Sequence, residues 1–288
     1  MMPAILKHEL NHYLHSLTTY LFIAAMLLFI GIGALLYNIN SALANFEYVL
    51  AYVCMGMCII IPILTMRIIA EERKQKTDQL LYSLPLTTAE IVIGKYLAVL
   101  IVFAVPCLIV SMYPLIFAQF GDVYLLTSYG SLLAFFIMSA AMVAIGVFIS
   151  SLSDNIGFAA GIAIVLFLFN YFSVTLAEYV STSALGSLLA IFLLIFAVSY
   201  IIQYMTGNEN IGLAAGIVMV LVVMGLYFFA YESFEGLLPS IMTSMSLFER
   251  FYVFVDGVFD LTNIVFFLSV IALFLFLTVQ SFEKRRYN

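Results

Sequence analysis

Charge is what this chain has least of. Asp, Glu, Lys and Arg make up 9% of it and apolar residues 65%, for a mean hydropathy of +1.18; soluble domains carry about a quarter charged residues. A chain of 288 residues so composed cannot cover itself with polar surface. The one or two soluble domains its length would suit are therefore excluded, as is a disordered chain. Three cysteines in 32.1 kDa do not make a disulfide scaffold. A formal charge of -6 excludes a basic nucleic-acid binder, so no nucleic-acid partner is expected.

Nucleotide chemistry is missing too. GK occurs once, at Gly94 and Lys95, but Tyr96 follows and no glycine stands five residues earlier, so the GxxxxGK[ST] phosphate loop is absent. The chain is expected to bind no cofactor and to hydrolyse no ATP by itself. There is no G-x-S-x-G elbow, and no ionisable cluster in mid-membrane of the kind proton-coupled carriers display.

What is there is a series of long apolar runs. Eight windows contain no Asp, Glu, Lys or Arg: 17–37, 48–66, 97–117, 130–150, 156–176, 185–204, 211–231 and 261–279. Each approaches the roughly 20 residues a spanning helix needs. Continuous runs, not short alternating segments, predict helices, hence an all-α polytopic membrane protein forming a single transmembrane domain over 1–288. With eight spans drawn, nine of the ten basic residues fall on one side and only Arg250 on the other. The positive-inside rule makes the nine-residue side cytoplasmic, with both termini inside. The start, MMPAILKHELNHYLHS, lacks the layout of a removable signal peptide.

In that start Leu6, Leu10, Tyr13, Leu14 and Leu17 recur at helical spacing, with Lys7, Glu9, Asn11 and His12 turned away. This predicts an interfacial helix over 4–16. HELNH at His8 to His12 matches the HExxH zincin pattern, two ligands one turn apart with a general base between them. The only other histidine is His15, and no span offers an acidic third ligand. A surface helix is the preferred reading, and no catalytic or metal-ligating residue is assigned. Cys54, Met55, Met57 and Cys58 offer soft copper ligands or ordinary packing, and Cys107 adds nothing.

NIGFAAGIAIVL from Asn155 and NIGLAAGIVMVL from Asn210 agree at nine of twelve positions. The echo fits duplication of a two-span hairpin, or convergence of small-residue packing surfaces. Each copy carries a GxxxG pair, Gly157 with Gly161 and Gly212 with Gly216, expected to pack helices closely. Asn170, Tyr171, Gln203 and Tyr204 either line a substrate path or hydrogen-bond between helices. The outer stretch 232–260 is the longest on its side.

The segment 67–95 holds nine of the twenty-six charged residues. Thr77, Leu80, Leu81 and Leu84 form one helical face that Pro85 terminates, and a second helix can begin after a Thr87 or Thr88 cap with Glu90 in its first turn. Such a loop over 70–90 suits a soluble partner, or serves topology alone.

Three regions resemble ABC-2 type permeases, the membrane subunits of a type of ABC exporter, and most closely the gliding-motility and copper-enzyme-maturation branch. They are LKHELNHYLHSLTTYLFIAAMLLFIG at the start, EERKQKTDQLLYSLPLTTAEIVIGKYLA in the loop, and SLFERFYVFVDGVFDLTNIVFFLSV with the EKRR tail. The resemblance implies an elbow helix at the start, a coupling helix in the loop and a re-entrant outer segment at 232–260. It matches Glu72, Arg73, Thr77, Leu80, Leu81, Pro85, Gly94 and Lys95 to the family's loop motif, where they would dock an ATP-binding subunit. Glu72 and Arg73 would be the charged contacts, Leu80 and Leu81 the apolar ones. It further implies two copies of that subunit, holding ATP and Mg, and a second permease chain of the same or another kind. The family usually has six spans, and a duplicated hairpin would make eight here. The expectation is export of a hydrophobic or amphipathic substrate across a bacterial plasma membrane; a channel or sensor subunit, or an HExxH membrane metalloprotease, is the alternative.

Overall fold

The computed structural model describes residues 2–76, 87–229 and 231–287, the side chains of 2–4, 204, 205, 286 and 287 apart. Among them there is no strand. The helices are α1 (Met2–Leu14), α2 (Leu17–Ala34, continued by a π-helical turn, Leu35–Asn40), α3 (Glu47–Thr65), α4 (Ala70–Gln75), α5 (Thr88–Val110), α6 (Tyr113–Phe117) and α7 (Leu125–Leu152). They continue with α8 (Ile156–Tyr179), α9 (Ala184–Thr206), α10 (Glu209–Phe229), a 3-10 turn (Tyr231–Phe234), α11 (Leu237–Ser244), α12 (Leu247–Val255) and α13 (Leu261–Tyr287).

Eight helical stretches among the described residues are long and apolar enough to cross a bilayer, one for each expected window. The third differs in extent. Its helical stretch is Thr88–Phe117, not 97–117, and carries Lys95 about two turns in. A charge inside a spanning helix is tolerated when it is paired, and Lys95 is paired.

The chain divides into two units, 1–171 with 250–288, and 172–249. In the first, α7 and α3 are the most enclosed spans, 72% and 67% buried, and form its axis. Gly33 of α2 faces Val49 of α3, where an added Cβ would lie 2.9 Å from Val49 Cγ1. Phe103 of α5 gathers the aromatic core, with ring centroids 6.1 Å from Phe22, 6.4 Å from Phe135 and 5.7 Å from Phe136. Ser131 of α7 donates to the Phe254 carbonyl at 2.8 Å, which also accepts from Gly257 N at 3.1 Å just past the end of α12.

In the second unit α9 and α10 form a hairpin. Ser183 caps α9 by accepting from Gly186 N, and Gly207 closes it at φ +66, a conformation that costs glycine little. Gly212 and Gly216 meet α9 closely, where an added Cβ would lie 2.6 Å from Gln203 Cβ and 2.8 Å from Ser199 Oγ respectively. Ser199 Oγ donates across to the Gly212 carbonyl at 2.7 Å. The first copy of the repeat behaves differently: Gly161 has nothing within 4 Å, and Gly157 meets only Asn155 Oδ1 at 3.5 Å. Asn155 precedes α8 and caps it through Gly157 N and Phe158 N, whereas Asn210 already lies inside α10. Matching sequence thus sits at different helix positions.

The segment 232–260 folds as the last part of the 3-10 turn, α11 and α12. Gly236 N donates to the Thr182 carbonyl at 2.8 Å, and Leu238 N to Ser187 Oγ at 3.2 Å.

Candidate functional site

Five helices of the first unit meet around α4, and their meeting is polar. The reason begins in α3. Pro62 lies inside its last turns, the Thr65 hydroxyl turns back on the Ile61 carbonyl at 3.1 Å, and the helix stops. The interruption leaves backbone groups to be satisfied, and Ser150 of α7 supplies the partners. Its Oγ accepts from Ile69 N at 3.2 Å and Ala70 N at 3.1 Å and donates to the Met66 carbonyl at 3.0 Å. Gly146, one turn earlier on α7, gives Thr65 its place: a Cβ there would be 2.3 Å from Thr65 Oγ1. Thus α4 starts from a fixed point. It carries Glu71 and Glu72 in its first turn and Arg73 and Lys74 in its last, as the helix dipole favours, and closes at Lys76 with φ +58.

The centre of the site is Lys95. Its side chain is fully buried, and Nζ lies 2.7 Å from Glu9 Oε1 of α1 and 2.5 Å from Glu72 Oε1 of α4. Two carboxylates from separate helices thereby share one ammonium of a third. Glu72 keeps some contact with solvent, which eases the surplus negative charge. Gly94 beside it seats α1, since an added Cβ would be 3.1 Å from Ile5 Cγ2. Tyr13, on the same face of α1 as Ile5 and Glu9, has its hydroxyl pKa pushed well up by burial, and further by the charges of Glu9, Glu72 and Glu71.

Further contacts complete the collar. The buried Arg73 lies over the Phe282 ring of α13, 5.8 Å from its centroid. Thr87 and Glu90 form a reciprocal capping box at the start of α5, as the cap expectation required. Thr88 Oγ1 donates to Glu283 Oε1 at 3.0 Å and Ser281 Oγ to the Ser151 carbonyl at 3.2 Å. Arg285 pairs with Asp154 at 2.7 Å, and that hydrogen bond holds the Asp154 carboxyl below its usual range.

Several expectations need correction here. Glu9 is not turned away from the protein. Ile5, Glu9 and Tyr13 form the buried face of α1, while Leu6 and Leu10 are half-buried and Leu14 and Leu17 exposed. The physical reason is the pairing of Glu9 with Lys95, which periodicity reads only as a polar position. Of the residues expected to face an ATP-binding subunit, Arg73 and Lys95 are buried, Gly94 lies beneath Ile5, and Glu72 is engaged with Lys95. None of these four presents its polar atoms as a free docking surface; the exposed side chains of α4 and its end are Lys74, Gln75 and Lys76. Thr77, Leu80, Leu81 and Pro85 lie outside the described residues.

The Glu9 carboxylate of HELNH is committed to Lys95, while His8 and His12 are exposed. The Cys54 thiol donates to the Leu50 carbonyl and the Cys58 thiol to those of Cys54 and Phe167, while Met55 is half exposed. Neighbouring carbonyls thus occupy the thiols. Asn170 and Tyr171 are half-buried in the first unit, and Gln203 in the second has its stem against Gly212. The Tyr204 side chain is outside the described set. Elsewhere in the first unit the buried Glu47 accepts from Asn45 Nδ2 at 2.7 Å and Ser128 Oγ at 3.1 Å.

Sequence reasoning missed Glu9, Ser150 and Glu283. One signal was available: a lone lysine a few residues from an apolar run needs a counter-ion nearby.

A family model for ABC-2 family transporter proteins matches residues 35–231, about two-thirds of the chain, and the matched stretch runs through α4 and the collar's base on α5 and α7. The chain belongs to the ABC-2 transporter family. No curated protein matches it. As an ABC-2 permease it is a multi-pass membrane protein and the membrane part of an ABC transporter, which works with an ATP-binding subunit and is not an enzyme by itself.

Proposed function

We propose that this ABC-2 permease exports a hydrophobic or amphipathic substrate, driven by two copies of a separate ATP-binding subunit that carry ATP and Mg. A second permease chain, the same or different, completes the pair. The collar side is cytoplasmic, which the distribution of nine of the ten basic residues supports. The membrane is the bacterial plasma membrane, and the branch is the one that the start, loop and end of the sequence resemble.

The observation that carries the reading is α4. A six-residue charged helix at the end of a spanning helix, tied at its base to α7 and through Lys95 to α5 and α1, turns Lys74, Gln75 and Lys76 outward just ahead of residues 77–86. A segment anchored at its base that carries exposed side chains at Lys74, Gln75 and Lys76 passes a push into the bundle, and only contacts that differ between two arrangements can shift their balance. The docking contacts are therefore Lys74 and Lys76 with Leu80 and Leu81. The test is copurification. Lys74→Glu combined with Leu80→Asp is expected to lower the ATP-binding subunit retained by the tagged chain at least tenfold while membrane insertion is unchanged; undiminished retention removes the loop as the docking site.

A further inference from the structure

The GK pair was expected on the docking surface, yet both residues face inward. Gly94 makes room for Ile5 of α1, and Lys95 is fully buried between Glu9 and Glu72. Glu9 and Lys95 are separated by 86 residues, Glu72 and Lys95 by 23. Three elements thus converge on one ammonium: the N-terminal helix, the base of the loop and the third span. Apolar packing of the same volume would hold three helices as firmly, and often more so, than buried ions do. What an ammonium shared by two carboxylates adds is a directional, distance-sensitive tie, strongest in one register.

We propose that Lys95 is the positioning residue of the drive linkage. It holds α4 and α1 to one point of α5, so a displacement of the loop moves the N-terminal helix and the third span as one body. Glu9 and Glu72 are the two arms. Arg73 over Phe282 and Ser150 beneath Ile69 and Ala70 bound the direction in which α4 can travel. The proposal rests on the docking reading for what pushes the loop, but not for the tie itself.

The test uses the full chain with its ATP-binding subunit in lipid nanodiscs. Removing Lys95 alone would strand two carboxylates, so the main variant neutralises the whole cluster: Glu9→Gln, Glu72→Gln and Lys95→Met together. Expected are a melting temperature at or above that of the unmodified complex, and copurification and KM for ATP within twofold. The permease-dependent kcat for ATP should fall at least tenfold. Lys95→Arg should keep kcat within threefold, and Glu9→Gln, which alters α1 and leaves the loop sequence unchanged, should lower it at least threefold. A kcat within twofold in the neutral variant overturns the proposal, as does a kcat that falls only in step with melting temperature.

If the unmodified chain retains no ATP-binding subunit, the docking reading fails and the tie is judged in the permease alone. Spin labels at the exposed Asn11→Cys of α1 and Lys74→Cys of α4 should then give a distance distribution that at least doubles in width in the neutral variant. An unchanged width overturns the tie.

Discussion

At Gly146 the absence of a side chain is what lets α3 end where it does. A methyl there would meet Thr65 Oγ1 at 2.3 Å and Thr65 Cβ at 2.8 Å, closer than packed atoms allow. Gly146→Ala is therefore expected to destabilise the permease by about 1–3 kcal/mol, the usual range for overpacking. Thr65→Ala on that background should recover part of the loss, and thermal melting in detergent checks both. Arg73 teaches the complementary lesson. A sequence reading makes it a docking charge and its reversal a docking test, but the side chain is buried over Phe282. Reversal would bury a carboxylate near Asp154 and report on folding; Lys74, one residue on and exposed, is the informative position.

Among the elements, the two ends of the chain show how far local pattern reaches. The capping box of α5 was readable because Thr87 and Glu90 stand three residues apart and satisfy each other locally. The buried face of α1 was not, because a glutamate among leucines reads as solvent-facing until its partner from α5 is known. The last turns of α13 are tied by Arg285 to Asp154. Asp154 has a depressed pKa in the folded chain, so the pair contributes fully above the ordinary Asp value, about 3.9, and is lost as pH falls through the lowered one. Both side chains are well exposed, so the contribution is modest. Hydrogen exchange in residues 281–285 should rise relative to α7 below about pH 4, once corrected for intrinsic rates. Asp154→Asn should reduce that pH dependence, leaving only the part carried by Glu283, which accepts from Thr88.

At the scale of the whole molecule, the eight helical stretches among the described residues that are long and apolar enough to cross agree with the apolar windows, because a bilayer penalises charge and unsatisfied backbone so heavily that composition marks the candidates. The proposed topology makes a further prediction. Single cysteines replacing Asn11, Lys74 or Asp154 should react with an impermeant maleimide only after the cells are opened, and those replacing Asp122 or Glu235 in intact cells. Reaction of Lys74→Cys from outside would reverse the orientation and the cytoplasmic docking with it. The repeat is instructive at this scale as well. Its second copy packs α10 on α9 through Gly212 and Gly216, while its first leaves Gly161 open, so one composition serves two environments.

The amino-acid sequence by itself determined the eight stretches apolar enough to cross a bilayer, the helical class, the cap of α5 and, through its motifs, the family. Each of these follows from local composition or from spacing of a few residues, where the physics is that of one helix in a bilayer. Only the tertiary structure decided which charges face inward. Glu9, Glu72 and Lys95 find each other across as many as 86 residues, and no periodicity within a helix encodes a partner on another one.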